Sequence, residues 1–414
     1  MRRPTPHRLL QYVRQGLRLR PYLERPGDGR RFPQIPAQAM LWAILLGQVL
    51  RESSFHALES LVGSGRRRSL GVSCSFGDDA LGYFTERLDP TPTRQAAIQI
   101  VRQAKRNKAL QNSPFIGLAL DGTTVGRCRE PHCDLCRPWR RVASSPIAGY
   151  RHHLVMLSVV GTGLSLPIDV EPFGPGGSEY AAGQRLLRRV LPQLGSRFAD
   201  YLVVDSEFAT APFLHVCDDL GLPVVARLKA NLPELLQAAQ KRFSQQPAQL
   251  SFGFRRDRVE IWDAADFDPW ESLGWPTVRV LYYRQHKPDG SIVEAYWLTN
   301  LSPQRVSARS LFGMAKSRWE IENQAFNEAK NQHQLEHISR HHHNSLLIEW
   351  LLNALALTIE RLYRLRYLHR GSHPRLSAVE LCRLLWLNLA RSFRPTAVDV
   401  PPLSDRWPVL LFEK

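Results

Sequence analysis

Phe115-Ile116-Gly117-Leu118-Ala119-Leu120-Asp121-Gly122-Thr123 is the stretch on which the fold turns. Its apolar run, Phe115 to Leu120, is short and has no polar alternation, which suits a strand of a sheet buried on both faces. A second stretch repeats the pattern, since Tyr201-Leu202-Val203-Val204 ends at Asp205-Ser206-Glu207-Phe208. Each places an aspartate at the C-terminal end of a strand, where open α/β sheets collect their ligands. If the two strands are neighbours, Asp121 and Asp205 are neighbours too.

The surrounding segments extend the sheet. Leu154 to Val160 and Leu166 to Val170 flank Gly161-Thr162-Gly163, a glycine-bearing turn that suits a hairpin, so with Phe115 to Leu120 they give three antiparallel strands. Glu179 to Leu191 reads as a helix, Tyr201 to Val204 as a fourth strand, Ala211 to Leu220 as a helix and Val224 to Leu228 as a fifth strand. Between Asn231 and Ser302 the period changes to that of strands. Phe252 to Trp262 alternates, and Val278 to Tyr283 pairs with Ile292 to Thr299 across Asp289-Gly290. Trp262, Trp270 and Trp297 in this segment read first as core residues and second as platforms for a displaced base.

A third stretch, Arg318-Trp319-Glu320-Ile321-Glu322-Asn323-Gln324-Ala325-Phe326-Asn327-Glu328-Ala329-Lys330, has helical spacing. Stepping by four from Arg318 reaches Glu322, Phe326 and Lys330, which puts them in one broad stripe. A lone aspartate after a strand is more often a turn or cap residue, and charges on a helix usually form a solvated face. Glu320 competes with Glu322, and Glu207 competes with Asp205.

Three acids in the order Asp121, Asp205, Glu322, set in "LALDGTTVG", "YLVVDSEFATAPFL" and "RWEIENQAFNEAK", resemble the bacterial insertion-sequence transposases with an RNase H-like core. The resemblance runs from about Arg94 to His369. It departs from the family's Tyr, Arg, Glu, Lys signature at two places: Ala315 stands where Tyr is expected, and Lys330 follows Ala329, which holds the expected lysine position. The resemblance implies an α/β fold, an RNase H-like mixed sheet flanked by helices, with a helical N-terminal region and a β-rich insertion.

It also implies phosphodiester chemistry. In-line displacement is served by two hard cations about 3.5–4 Å apart, and Mg²⁺ takes oxygen ligands while keeping several waters. Asp121 is expected to bridge two Mg²⁺ (or Mn²⁺) ions, with Asp205 holding one and Glu322 the other. Arg318 and Lys330 are expected to contact phosphates. The implied partners are double-stranded DNA, at the terminal inverted repeats and the target, and a second copy of the chain on that DNA.

Composition agrees with a polyanionic partner. The chain of 414 residues carries 55 Lys plus Arg against 38 Asp plus Glu, a formal net charge of +17. An arginine-rich genome is the competing explanation. A hydrophobic fraction of 43% argues for a globular chain. Leu346 to Ile359, interrupted by Glu349 and Asn353, falls short of the roughly 20 residues a span requires and reads as a core helix. Met1-Arg2-Arg3-Pro4 onward lacks an apolar signal region, so a cytoplasmic, chromosome-associated bacterial protein is expected.

The expected layout has a helical DNA-binding region over 1–110, the first part of the core over 111–230, the β-rich insertion over 231–302, the third-acid helix and the next helix over 303–370, and a helical tail over 371–414. Within the first region Leu9, Leu10, Val13, Leu17 and Leu19 alternate with arginines in a basic amphipathic segment. Helices are expected over Ala37–Leu50, Phe55–Val62, Asp79–Leu88 and Arg94–Lys108. Arg66, Arg67 and Arg68 form a basic turn that either contacts phosphate or is simply solvated.

Cys128, Cys133 and Cys136 cluster in "GRCREPHCDLCRPW" with His132 between them and His152-His153 before the next strand. A Cys-x-x-Cys knuckle is a recurrent half of a structural Zn²⁺ site, and Cys128, His132, Cys133 and Cys136 are enough to close one. With no second Cys-x-x-Cys, free thiols are the alternative. Cys74, Cys217 and Cys382 read as packing residues, and His341-His342-His343 as a polar turn. The expected activity is cleavage at transposon ends followed by strand transfer. The alternatives are a nuclease of the same fold and a non-catalytic DNA-binding protein.

Overall fold

A computed structural model describes residues 4–368 and 376–391, so most of the expected 371–414 tail, apart from the helix Ala378–Arg391, and the first three residues lie outside the described residues. The strands are β1 (Gly117–Cys128), β2 (Arg137–Arg140), β3 (Ile147–Val160), β4 (Leu166–Pro172), β5 (Tyr201–Val204), β6 (Val224–Leu228), β7 (Leu250–Phe254), β8 (Asp257–Phe267), β9 (Val278–His286) and β10 (Ile292–Thr299). They form one sheet in the order β2-β3-β1-β5-β6-β10-β9-β8-β7, with β4 paired to β3. β1, β3 and β4 are antiparallel neighbours, while β5 and β6 run parallel to β1. That mixed order, β4-β3-β1-β5-β6 with helices between β4, β5 and β6, is the expected RNase H-like arrangement.

Two readings of the sequence change. β1 does not end at Asp121: its pairing with β5 stops at Leu120↔Val204, but its pairing with β3 continues to Cys128. The alternating run Phe252 to Trp262 is a hairpin and not one strand, because Arg255 takes a left-handed conformation (φ +60°) and reverses the chain between β7 and β8. The turn at Asp289-Gly290 joins β9 and β10 as expected, with Gly290 at φ +81°. β10 pairs directly with β6, so these strands lengthen the same sheet.

The inward faces of the strands fill two cores. On one side, Leu118, Leu120, Leu202 and Val204 pack with the helices Glu179–Leu194 and Ala211–Asp219 and with the N-terminal helices. On the other, Ala119, Val125, Tyr201 and Val203 meet the continuous helix over 308–332, through Leu311, Ala315, Ile321 and Ala325. The long helix His343–Tyr367 runs along β4 and feeds both cores, with Leu352, Leu355 and Ile359 on one and Leu346, Trp350 and Leu357 on the other. It is a core helix as expected, although at 25 residues it is longer than the Leu346 to Ile359 stretch read from sequence, and no helix among the described residues is long and apolar enough to cross a membrane.

The N-terminal helices Ala37–Leu50, Phe55–Gly63, Asp78–Arg87 and Thr91–Arg106 match the expected segments closely. Their contacts with the long helix are polar as well as apolar. Asn344 donates to the carbonyls of Thr85 and Leu88, both at 2.8 Å, and Asn353 donates to Gln48 Oε1 at 2.9 Å and to the carbonyl of His333 at 2.7 Å. Trp262 and Trp297 are buried and Trp270 packs partly buried against the core, as their first reading held.

Glu349 is the one acid in the middle of the long helix with little polar company. It is buried, Ser339 N–H lies 3.4 Å from Oε2, and Oε1 has no partner. Burial pushes its carboxyl up to about 8. The unfolded chain releases this proton near the ordinary carboxylate value and the folded chain retains it to about pH 8, so stability is fullest at low pH and declines across that interval. Glu349→Gln is therefore expected to raise the thermal midpoint by more at pH 8.5 than at pH 5. An equal change at both pH values, read by scanning calorimetry, would contradict a buried protonated acid.

Candidate active site

Because β1 and β5 are parallel neighbours and their shared pairing stops at Leu120 and Val204, Asp121, still paired to β3, and Asp205, at the end of β5, stand side by side where the two strands part. Adjacent strands are about 4.8 Å apart, so the two carboxylates share one patch at the strand ends. Asp205 is followed by the single turn Ser206–Phe208, whose start leaves its side chain half-exposed. Lys229, just beyond β6, holds it at 3.2 Å.

Glu322 reaches the same patch from the 308–332 helix, which packs on the sheet face that Ala119, Tyr201 and Val203 share with the two aspartates. Arg318, only 8% exposed, donates to Asp121 Oδ2 at 3.0 Å and to Glu322 Oε1 at 2.7 Å. One guanidinium thus joins two acids about two hundred positions apart in the chain. Glu320 points elsewhere, accepting the N–H of Gly161 at 2.9 Å, and Glu207 is exposed. Each competitor named from sequence lies apart from the Arg318 bridge.

The helix itself is irregular here. Ile321–Phe326 is a π-helical turn between α-helical halves, and such a turn holds one residue more than an α-turn. The extra residue shifts the face on which later side chains emerge. Lys330, one place late by the family's spacing, comes back to face β1 and donates to the carbonyl of Thr124 at 2.8 Å. Its ammonium is half-buried, and burial lowers its proton affinity. Arg361 of the long helix braces the π-turn through the carbonyl of Gln324 and through Glu328 at 2.5 Å.

A fourth acid belongs to this patch and was missed in the sequence. Glu179 opens its helix behind the N-cap Ser178, and its carboxyl lies so close to Gly122 that a Cβ there would come within 2.2 Å of it. An acid in the first turn is ordinary macrodipole chemistry, so only the long-range approach to Gly122 distinguishes it.

The acids tune one another. Burial, then repulsion from Glu322 and Asp205, raises Asp121 to about 6 in spite of Arg318. Burial, with Asp121 and Glu207 adding to it, raises Glu179 to about 7. For Asp205, burial is outweighed by the Ser206 N–H and by Lys229, which together hold it below the ordinary value. Clustered carboxylates with their pKa values pushed apart are a signature of sites that bind cations or move protons. The donor set is oxygen only, which suits hard divalent ions.

The other predicted residues lie elsewhere. Arg66, Arg67 and Arg68 form one short turn, Gly65–Arg68, with Arg68 exposed and Arg66 and Arg67 partly covered. Cys133 and Cys136 come together with His152 and His341, while His132 lays its ring 4.8 Å from that of His341 and donates its backbone N–H to Cys136 Sγ. His342 caps the long helix by accepting the N–H of Asn344.

Residues 112–359 match the family model described as "Transposase DDE domain". Among solved structures, the chain is similar to a piggyBac transposase synaptic complex with hairpin DNA, at 13% identity and a TM-score of 0.44, covering 97% of this chain and 84% of that one. No curated protein matches.

Replacing Arg318 by Gln removes the only cation bridging Asp121 and Glu322 among the described residues. The expected outcome is a rise of the Asp121 pKa above about 6, read by carboxyl ¹³C NMR titration. An unchanged titration would mean that Arg318 does not set the charge of this patch.

Proposed function

Since the chain belongs to the DDE transposase domain family and is a DNA transposase, we propose that Asp121, Asp205 and Glu322 are its catalytic triad. The observation that carries this reading is the double ion pair of Arg318, which binds the first and third acids to one point beside the second. DDE transposases use divalent metal ions, and an all-oxygen cluster of mutually repelling carboxylates fits them. Mg²⁺ or Mn²⁺ is the ion we propose. When bound, such ions activate the attacking oxygen and stabilise charge on the leaving one.

The chain's own residues supply the rest. Asp121 and Asp205, fixed by the sheet, offer neighbouring ligands, and Glu322 completes them from the 308–332 helix. Arg318 keeps Asp121 and Glu322 directed at the same space. Lys229 neutralises Asp205 on its solvent side and stands where a DNA phosphate would approach. Lys330 holds the helix to β1 through Thr124, and Arg66 to Arg68 meet phosphates farther along the duplex.

The reaction proposed is hydrolysis at each transposon end and attack of the freed 3′-hydroxyl on target DNA. Handling two terminal inverted repeats together calls for a homodimer. The 1–110 region serves as the DNA-binding part, the strands over 231–302 as an elaboration of the core between the second and third acids, and the residues beyond 303 as its closing helices.

The test uses linear DNA carrying the inverted repeats that flank the gene. Wild-type protein with Mg²⁺ is expected to give cut and joined products, and cutting without joining would instead mark a nuclease. Asp121→Ala, Asp205→Ala and Glu322→Ala should each lower cutting on the order of 10³-fold or more while leaving DNA binding intact. Unchanged cutting in any of the three removes that residue from the triad. At sub-saturating Mg²⁺, cutting should also fall as the pH drops through about 6, because the proton then competes with the cation for Asp121. A flat profile between pH 5 and 7 would contradict that role.

A further inference from the structure

The sequence knuckle forms a compact cluster on the far end of the β1–β3 hairpin from the turn at Gly161. β1 breaks register between Val125 and Cys128, with Gly126 at φ +63°, and the chain then loops through Cys133 to Cys136. The N–H of Cys136 donates to the carbonyl of Cys133 at 3.0 Å, a tight turn that sets the two sulfurs 3.7 Å apart. From β3, His152 places Nε2 3.2 Å from Cys133 Sγ and 3.4 Å from Cys136 Sγ. His341 arrives from the segment that links the 308–332 helix to the long helix. One ligand atom from each of these four residues lies within 4.8 Å of the other three.

These separations have a specific meaning. A tetrahedral Zn²⁺ with bonds of about 2.3 Å to sulfur and about 2.0 Å to nitrogen has ligand–ligand edges of roughly 3.3–3.8 Å. The sulfur–sulfur and both sulfur–nitrogen separations fall at or near that range, whereas a disulfide would need about 2.05 Å. The imidazoles suit the same role. His152 is fully buried, with Nε2 facing both sulfurs and Nδ1 without a hydrogen-bond partner. His341 Nδ1 is buried and has no hydrogen-bond partner, an arrangement that costs free energy unless something fills it.

We propose that Cys133, Cys136, His152 and His341 form a structural Zn²⁺ site, separate from the oxygen-only acid cluster. Compared with the set expected from sequence, Cys133 and Cys136 stay, while His152 and His341 take the places of Cys128 and His132. Cys128 is a neighbouring thiol, 3.8 Å from Cys136 Sγ and 3.8 Å from the carbonyl of Tyr150. Soft thiolates with imidazole select Zn²⁺ over Mg²⁺, so the two sites sort different ions. The site ties the end of the strand carrying Asp121 to the segment that follows the helix carrying Glu322, next to the place where Ile338 packs on Gly126. It acts as a cross-link between the two elements that must hold the first and third acids in register.

The experiment uses the full chain, expressed in zinc-containing medium and dialysed against zinc-free buffer with excess Mg²⁺. Elemental analysis is expected to find about one zinc per chain. Co²⁺ substitution should give a thiolate charge-transfer band with the intensity of two thiolates. Cys133→Ser and His341→Ala should lose most of the zinc, and Cys128→Ser should keep it. His341→Cys guards against simple misfolding, because it should retain zinc and raise the Co²⁺ band to that of three thiolates. Wild-type protein without zinc would overturn the proposal. So would loss of zinc in Cys128→Ser alongside full retention in His341→Ala.

Discussion

The point at which β1 and β5 stop pairing governs this molecule. Leu120 and Val204 are the last partners, and each is followed at once by an aspartate. Parallel strands give their neighbours the same direction, so two acids in equivalent positions necessarily emerge together. No loop conformation is needed to bring them close. Burial of Leu118, Leu120, Leu202 and Val204 in one core and of Ala119, Tyr201 and Val203 in the other fixes the strands on both faces. A site on such a base is held by the same packing that stabilises the fold.

The third acid has no such backbone guarantee, and Arg318 supplies the link. The π-turn at Ile321–Phe326 begins immediately after the helical turn that carries Arg318, and Glu322 lies within it. A π-turn leaves backbone groups poorly paired, and Arg361 meets this by binding the carbonyl of Gln324. The distortion therefore persists because the long helix supports it. It aims Glu322 toward β1 and, four positions past its end, returns Lys330 to the same strand.

Much of this was legible in the chain because the deciding signals are local. The five core strands were found from their short apolar runs, although β1 and β3 continue well beyond those runs in their antiparallel pairing. The departures come from tertiary context. Arg255 in a left-handed conformation splits one apparent strand into two, although nothing in its side chain announces a turn. Lys330 looked displaced by one position against the family's spacing, and the π-turn, which holds one residue more than an α-turn, absorbs the difference. Glu179 was invisible because an acid behind an N-cap serine has a sufficient local explanation. His341 lay hidden in a histidine run next to His342, which does cap a helix, and only the packing of the connecting segment against β3 reveals that the two rings differ.

Clustering four carboxylates also makes the fold sensitive to its ligands. Repulsion among Asp121, Glu179, Asp205 and Glu322 opposes bringing the β1 and β5 ends, the 179–194 helix and the 308–332 helix together, and Arg318 and Lys229 offset only part of it. The raised values of Asp121 and Glu179 come first from burial and then from this repulsion. An ion that binds the assembled cluster and not the unfolded chain stabilises the fold by about 2.7 kcal/mol at a free concentration one hundred times its Kd. A cation at the proposed triad would therefore be coupled to the packing of the 308–332 helix on the sheet. The Arg361 brace and the Lys330 contact with Thr124 act on that same helix and hold it against the sheet through protein contacts alone.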